Sequence, residues 1–208
     1  MPVPLVLASQ SPARLATLRS AGVEPLVIVS HVDEDAILAA AGTLAPADAV
    51  LALARAKAQA VAVAHGPGAL VLGCDSMLEF GGQIFGKPAS AKEATDRWRA
   101  MRGNVGTLHT GHWIIDARSS DHAPTAGATS STKVTFAHLT NTEIDAYVAT
   151  GEPLQVAGAF TVDGLGGPYV ESIEGDYHGV VGVSLPLLRH LLADLGVAFH
   201  ELRAASGL

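Results

Sequence analysis

The amino-acid sequence predicts an α/β fold built on a mixed, twisted sheet with flanking helices. Three observations predict it. Short aliphatic, β-branched runs alternate with helix-length segments, which requires crossover connections and therefore parallel strands. Two further runs flank Gly81-Gly82, the signal of a two-residue hairpin, so part of the sheet is antiparallel. The 208 residues are 49% hydrophobic with a mean hydropathy of +0.32, enough for a complete core without disulfide staples.

In chain order, residues 3–8 read as a short apolar strand ended by Ser9-Gln10-Ser11-Pro12. A helix follows over residues 12–21, with Ser11 as N-cap, Pro12 at its first position and Gly22 just past its end. Residues 25–29 read as a second strand, leading into the acidic stretch Val32-Asp33-Glu34-Asp35. Residues 48–64 are Ala-rich and helical, stopped by Gly66-Pro67-Gly68. Residues 69–73 form a buried strand that ends at Cys74-Asp75, and residues 76–80 and 83–85 are the arms of the glycine hairpin. Ser90-Ala91-Lys92-Glu93 is a capping box that opens a helix to Met101, with Gly103 as its stop. Residues 108–117 and 131–138 read as paired strands around a polar loop, 118–129. Thr140-Asn141-Thr142-Glu143 is a second capping box, whose helix ends near Thr150-Gly151. A glycine-rich segment over 158–167, a strand over 168–173 and a last helix over 185–195 complete the chain, with no internal repeat.

Composition excludes several function classes. With 13 Lys and Arg against 20 Asp and Glu, the net charge of −7 has the wrong sign for gripping a nucleic-acid backbone. The most apolar stretch, 36–64, is interrupted by Asp48, Arg55, Lys57 and Gln59, so no membrane span is expected. The opening residues lack a charged n-region, which predicts no signal peptide. One cysteine rules out a disulfide framework or a Cys-based zinc cage. A cytoplasmic protein acting on a small molecule is the expectation.

The first strand–loop–helix unit is the best anion site in the chain. A helix start leaves backbone N–H groups unpaired and carries partial positive charge. Ser9 and Ser11 add hydroxyls, and Arg14 stands in the first turn, where it can fork onto phosphate; the plainer alternative is a capped helix with a solvated arginine. Asp75, at the end of a buried strand, is a cation ligand, a base near water, or the cap of the next turn. If the acidic stretch converges on it, Glu34 and Asp75 supply hard oxygens for one Mg²⁺ completed by substrate phosphates; otherwise that stretch is a solvated loop. Gly81 to Pro88 imitates a P-loop, but Pro88 stands where Ser or Thr would bind Mg²⁺ and the glycines fall on a hairpin, so that reading fails. Lys87 still follows an apolar strand and precedes a backbone-fixing proline, and Lys57 is a lone lysine on an apolar helix, a setting that usually means snorkelling. His109 and His112, three apart on a strand, face opposite sides and cannot share a metal, while Cys74 reads as core.

Taken together, Leu7-Ala8-Ser9-Gln10-Ser11-Pro12 with Arg14, Val32-Asp33-Glu34, Ala54-Arg55-Ala56-Lys57-Ala58, Gly73-Cys74-Asp75, Gly86-Lys87-Pro88 and His109-Thr110-Gly111 resemble the Maf family in order and spacing. Gly151-Glu152-Pro153-Leu154, Ala157-Gly158, Gly164-Leu165-Gly166, Ile173-Glu174-Gly175-Asp176-Tyr177 and Val181-Gly182-Val183-Ser184-Leu185-Pro186 continue the resemblance over nearly the whole chain. It implies a single Maf-like domain over 1–208, elongated and two-lobed around a nucleotide cleft, with an architecture similar to the inosine triphosphate pyrophosphatases. It also implies a cytoplasmic, homodimeric nucleoside triphosphate pyrophosphatase that uses Mg²⁺ or Mn²⁺ and releases a monophosphate and pyrophosphate, from a family linked to septum formation and division arrest. By resemblance Asp75 is the catalytic proton acceptor and a metal ligand with Glu34, while Ser9, Ser11, Arg14, Lys57 and Lys87 face phosphate.

Ala13, Ser76 and Asp163 fall on the family's specificity positions and match neither its dTTP/UTP branch nor its 7-methyl-GTP branch. Ala13 replaces a usual arginine, and Val156 a frequent lysine. An acidic Asp163 can accept hydrogen bonds from the N–H groups of a base, which leans towards the second branch. The alternative is a nucleotide-binding regulator of division that has lost most of its turnover with the arginine.

Overall fold

A computed structural model describes residues 2–119 and 123–203. Among these, β1 (Leu5–Ala8) leads through a short loop into α1 (Pro12–Ser20), and β2 (Leu26–Val27) precedes α2 (Glu34–Ala41) and α3 (Pro46–His65). Then come β3 (Ala69–Phe80), β4 (Gln83–Phe85), α4 (Ala91–Met101), β5 (Val105–Ala117), β6 (Thr125–Phe136) and α5 (Asn141–Ala149). Short 3-10 turns carry the chain to β7 (Val170–Glu174), α6 (Tyr177–Val181) and α7 (Leu185–Asp194). The sheet runs β2-β1-β3-β5-β6-β7, with β4 paired to β3 outside that path. β2, β1 and β3 are parallel, and every other pairing is antiparallel, so the mixed α/β sheet read from the sequence is the one observed.

Two large clusters of buried side chains lie along the long strands. One gathers Leu7, Leu18, Leu70, Leu72, Ile114, Leu188 and Leu192 where α1 and α7 pack, and the other gathers Leu78, Trp98, Phe136, Ile144 and Tyr147 where α4 and α5 pack. In the second, Trp98 makes edge-to-face contacts with Phe136 and Tyr147 and donates its indole N–H to the Ala159 carbonyl at 2.7 Å. No helix among the described residues is long and apolar enough to cross a membrane.

Most element boundaries agree with the sequence reading, and the differences have physical causes. β3 is one strand of twelve residues, where the sequence suggests two runs separated by Cys74-Asp75. It continues because β5 pairs with it from Ala69 through Glu79. β6 starts at Thr125, so the expected loop over 118–129 is shorter; residues 120–122 of it lie outside the described residues. The early part of β6 is polar or small, and Gly127 is obligatory there, since a Cβ would stand 2.3 Å from the Trp113 ring. The acidic stretch is a helix start and not a loop: Asp33 caps α2 by accepting from the Ala36 N–H at 2.9 Å. The Thr140 box forms with both of its bonds. At Ser90 only half forms, because the Glu93 carboxylate accepts from the Ala89 N–H at 2.8 Å and from Arg97.

Candidate active site

The long strand β3 carries β1 on one edge up to Gly73 and β4 on the same edge from Leu78 onwards. Between them, residues 74–77 have no strand on that edge. A cleft of about 1100 Å³ opens over this gap, at the large end of the sizes that small-molecule sites have. Every residue singled out in the sequence for chemistry lines it: Ser9, Ser11, Ala13, Arg14, Glu34, Lys57, Asp75, Ser76, Lys87 and Asp163.

Close helix–strand packing delivers the central lysine. A Cβ on Gly73 would lie 2.1 Å from the Ala54 carbonyl oxygen and 2.8 Å from the Ala58 nitrogen, so only glycine lets α3 sit this close to β3. Lys57, in the same turns of α3, is thereby carried onto Asp75. Its Nζ lies 2.5 Å from Asp75 Oδ1 and 2.7 Å from Glu34 Oε1, so one ammonium joins the two acids. The snorkelling expected of a lone lysine does not occur: Lys57 and Asp75 are both buried, while Glu34 at the first turn of α2 is half exposed. Burial pushes the Asp75 carboxyl above its ordinary range, and Lys57 and Arg14 pull it back.

At the β1–α1 loop the Ser11 Oγ accepts from the Arg14 N–H at 3.4 Å, and the Ser9 Oγ accepts from the Ser11 N–H at 3.2 Å. Arg14 is buried and works mainly inside the protein. Its Nη1 donates to Ser9 Oγ (3.0 Å) and the Cys74 carbonyl (2.9 Å), its Nε to the Gly182 carbonyl (3.1 Å), and its Nη2 to Ser76 Oγ (3.1 Å). Of the five N–H groups of a guanidinium, one remains for a ligand, together with the charge. Ser9 accepts twice, which leaves its own proton to donate into the cleft.

On the opposite wall, Lys87 follows a carbonyl that is held twice: Gly86 O accepts from Arg97 Nη1 at 2.6 Å and from the Gly158 N–H at 3.1 Å. Arg97 also pairs with Glu93 and stacks on Phe85 with 4.7 Å to the ring centroid. Asp163 lies on a loop tied down by Glu152. That carboxylate accepts from the Tyr147 and Thr161 hydroxyls at 2.9 and 2.5 Å, and from the Leu165 and Gly166 N–H groups at 3.0 Å each.

Three cationic side chains, Arg14, Lys57 and Lys87, face four carboxylates, Glu34, Asp75, Glu152 and Asp163, around the cleft. That balance does not attract a polyphosphate by itself. Adding a divalent cation reverses the sign, and Glu34 with Asp75 forms a hard-oxygen donor pair of the kind Mg²⁺ or Mn²⁺ takes. No group of three or more His, Cys, Asp or Glu side chains suited to a metal occurs among the described residues, so further ligands would come from substrate and water.

The sequence reading missed several contributors. Thr110, fully buried, accepts from Ser76, and Glu152 and Thr161 fix the Asp163 loop. Glu152 carries a signal in Gly151-Glu152-Pro153 and Thr110 in His109-Thr110-Gly111, but the part Thr110 plays follows only from its place opposite Ser76 in the β3–β5 register. The other local readings agree with the structure. Cys74 is buried and its thiol is pushed up to about 12 by desolvation, and His109 and His112 bond on opposite faces of β5, to Glu79 and Ser184 respectively.

Comparison with known proteins gives a consistent picture. The family model described as Maf-like protein matches residues 4–195. A protein of Streptomyces coelicolor named nucleoside triphosphate pyrophosphatase is 57% identical over 203 residues, covering 96% of this chain and 94% of its own. Proteins with that name from Salinispora tropica (54% over 197 residues; 95% and 86%) and Leifsonia xyli subsp. xyli (50% over 212; 98% and 98%) are similar to it as well. With the family model matching through both core clusters and these relatives at 50–57% identity over nearly the whole chain, the chain belongs to the Maf family.

Proposed function

We propose that this chain is a nucleoside triphosphate pyrophosphatase, a hydrolase that cuts the anhydride between the α and β phosphates. The observation that carries the reading is the Glu34–Lys57–Asp75 junction on the floor of a nucleotide-sized cleft, in a chain whose relatives bear that name. In this reading Asp75 takes the proton of the attacking water. The water oxygen bonds to the α-phosphorus as the bond to the α–β bridging oxygen breaks, and pyrophosphate leaves with that electron pair. Ser9, the helix start at Ser11 to Arg14 and Lys87 hold phosphate oxygens. Lys57 trades a carboxylate for a phosphate as the substrate arrives. Arg14 adds charge and fixes Ser9 and Ser76. Ala13, Ser76 and Asp163 contact the nucleoside.

Glu34 and Asp75 would hold the divalent ion. When bound, it supplies neutralisation of phosphate charge and Lewis acidity in the way general to phosphoryl transfer. The protein is further proposed to act as one domain, as a cytoplasmic homodimer, on a non-standard, 7-methyl-GTP-like or pyrimidine nucleotide. The test is pyrophosphate release from a panel of 7-methyl-GTP, dTTP, UTP and CTP with Mg²⁺ or Mn²⁺. Wild type should exceed Asp75→Asn by orders of magnitude. Equal rates overturn the reading, and orthophosphate in place of pyrophosphate reassigns the bond cut. Tight binding without turnover favours the regulator of division instead.

A further inference from the structure

One hydroxyl on the cleft wall has its hydrogen-bond direction fixed by its neighbours. Ser76 in β3 and Thr110 in β5 are cross-strand partners on one face of the sheet. Thr110 is fully buried, and its Oγ1 lies 2.8 Å from the Gly179 carbonyl oxygen and 2.9 Å from Ser76 Oγ. A carbonyl only accepts, so the single Thr110 proton goes to Gly179. The Ser76–Thr110 contact must then be donated by Ser76, which uses its single proton. Arg14 Nη2 occupies one Ser76 lone pair from 3.1 Å away. What Ser76 offers the cleft is one lone pair and no proton.

Gly179 is itself held in place. The Gly179 N–H donates to Asp176 Oδ2 at 2.8 Å, and a Cβ at Gly179 would stand 2.7 Å from Ser130 Oγ. The relay from Ser76 through Thr110 to α6 therefore cannot easily reverse. In the free hydroxyl of an ordinary serine the proton turns to suit either a donor or an acceptor. Here it does not.

We propose that Thr110 is a specificity-positioning residue: it makes Ser76 an obligate acceptor, so the cleft selects nucleotides that present an N–H or O–H donor at that point. The inference rests on the nucleotide reading of the cleft and names a residue that touches no substrate. Asp163, on the same cleft, is also acceptor-only when ionised, so both walls ask for donors. An analogue lacking the donor leaves a desolvated lone pair unpaired, the situation in which polar sites discriminate most strongly.

The experiment compares matched pairs that differ by a donor: GTP with ITP, ATP with purine riboside triphosphate, and GTP with dGTP. Both binding by calorimetry and pyrophosphate release are measured, so a failure of turnover alone overturns the enzymatic reading and leaves this one standing on affinity. Wild type should prefer the donor-bearing member of at least one pair by about tenfold. Thr110→Val should erase that preference, because Ser76 regains a proton to donate. Thr110→Ser, which restores the relay, should keep it. If Thr110→Val does not fold, Ser76→Ala provides the same test by deleting the acceptor, and it should erase the same pair's preference. Unchanged pair ratios in Thr110→Val or Ser76→Ala overturn the proposal. So does a wild type that treats all three pairs alike, or a loss of preference in Thr110→Ser equal to that in Thr110→Val.

Discussion

Acidification is expected to destabilise this protein through one buried imidazole. His112 lies on β5, fully buried, between two backbone groups of opposite character. Its Nδ1 is 2.9 Å from the Thr110 carbonyl oxygen, so that nitrogen carries the proton, and its Nε2 accepts from the Ser184 N–H at 2.9 Å. Ser184 is also the N-cap of α7, its Oγ accepting from the Leu187 N–H at 3.1 Å. A second proton on the ring would face the Ser184 N–H donor to donor and push α7 away from the sheet. Desolvation, opposed by the Thr110 carbonyl, accordingly lowers the His112 pKa from 6.5 to about 4; Arg14 adds to the drop and Asp176 works against it.

The sign follows from linkage. Between these two values the unfolded chain binds the proton and the folded chain does not, so stability is complete above pH 6.5 and falls as the pH drops towards 4. At about 1.4 kcal/mol per unit, the loss over that window is about 3 kcal/mol, a large share of the stability of an ordinary domain. The assay is urea unfolding of wild type and His112→Gln at a series of pH values from 4.5 to 7.5. Subtracting one curve from the other removes the carboxylates that titrate in both. Wild type should lose its advantage over the variant as the pH falls, and the gap should close by most of that amount. Two stability profiles that run parallel through the window refute the reasoning.

Three other perturbations test the cleft. Gly73→Ala places a methyl 2.1 Å from the Ala54 carbonyl, so α3 must lift from β3. We expect about 1–3 kcal/mol of lost stability by chemical denaturation, with turnover falling as Lys57 leaves Asp75, and a wild-type-like variant on both measures contradicts the packing account. Arg97→Ala removes one of the two donors that hold the Gly86 carbonyl beside Lys87, which should raise the nucleotide KM by about tenfold with little change in kcat; an unchanged KM refutes the clamp. Lys57→Met leaves Glu34 and Asp75 without their shared ammonium. Without nucleotide it should bind Mn²⁺ at least tenfold more tightly than wild type by calorimetry, and equal affinities would show that the lysine does not compete with the cation.

How much of this is legible in the sequence depends on the range of the interaction. The Ser11-Pro12 helix start, the Gly81-Gly82 turn and the Thr140 cap are decided within a few residues, and each forms as its residue types require. The start of β6 escapes a sequence reading because Thr125 to Ser130 carry almost no apolar signal. That segment is a strand because β5 offers it a ladder and because Gly127 admits the Trp113 ring. The acidic stretch stands out for its charge, while the property that matters locally is the short Asp33 side chain capping α2. Lys57 shows the same limit in a sharper form. Seen alone on a helix of alanines it predicts a snorkelling side chain, and its burial becomes sensible only with Asp75, eighteen residues away in sequence.

The alanines and glycines around the charged residues explain why motifs locate the site but leave its geometry open. The buried ammonium of Lys57 is stable only if its carboxylates arrive at close range, since Lys57 or Asp75 alone would carry a desolvation cost of several kcal/mol. In this chain the range is set by Gly73 against Ala54 and Ala58, residues with no chemistry of their own. The same holds across the sheet, where Thr110 sets the proton of Ser76 and Arg14 spends most of its donors on the protein. The reactive side chains are therefore few, and their protonation and hydrogen-bond direction are decided largely by neighbours that do not themselves line the cleft. Substitutions at those neighbours, Gly73 and Thr110 foremost, should alter the chemistry of this cleft more selectively than their burial alone would suggest.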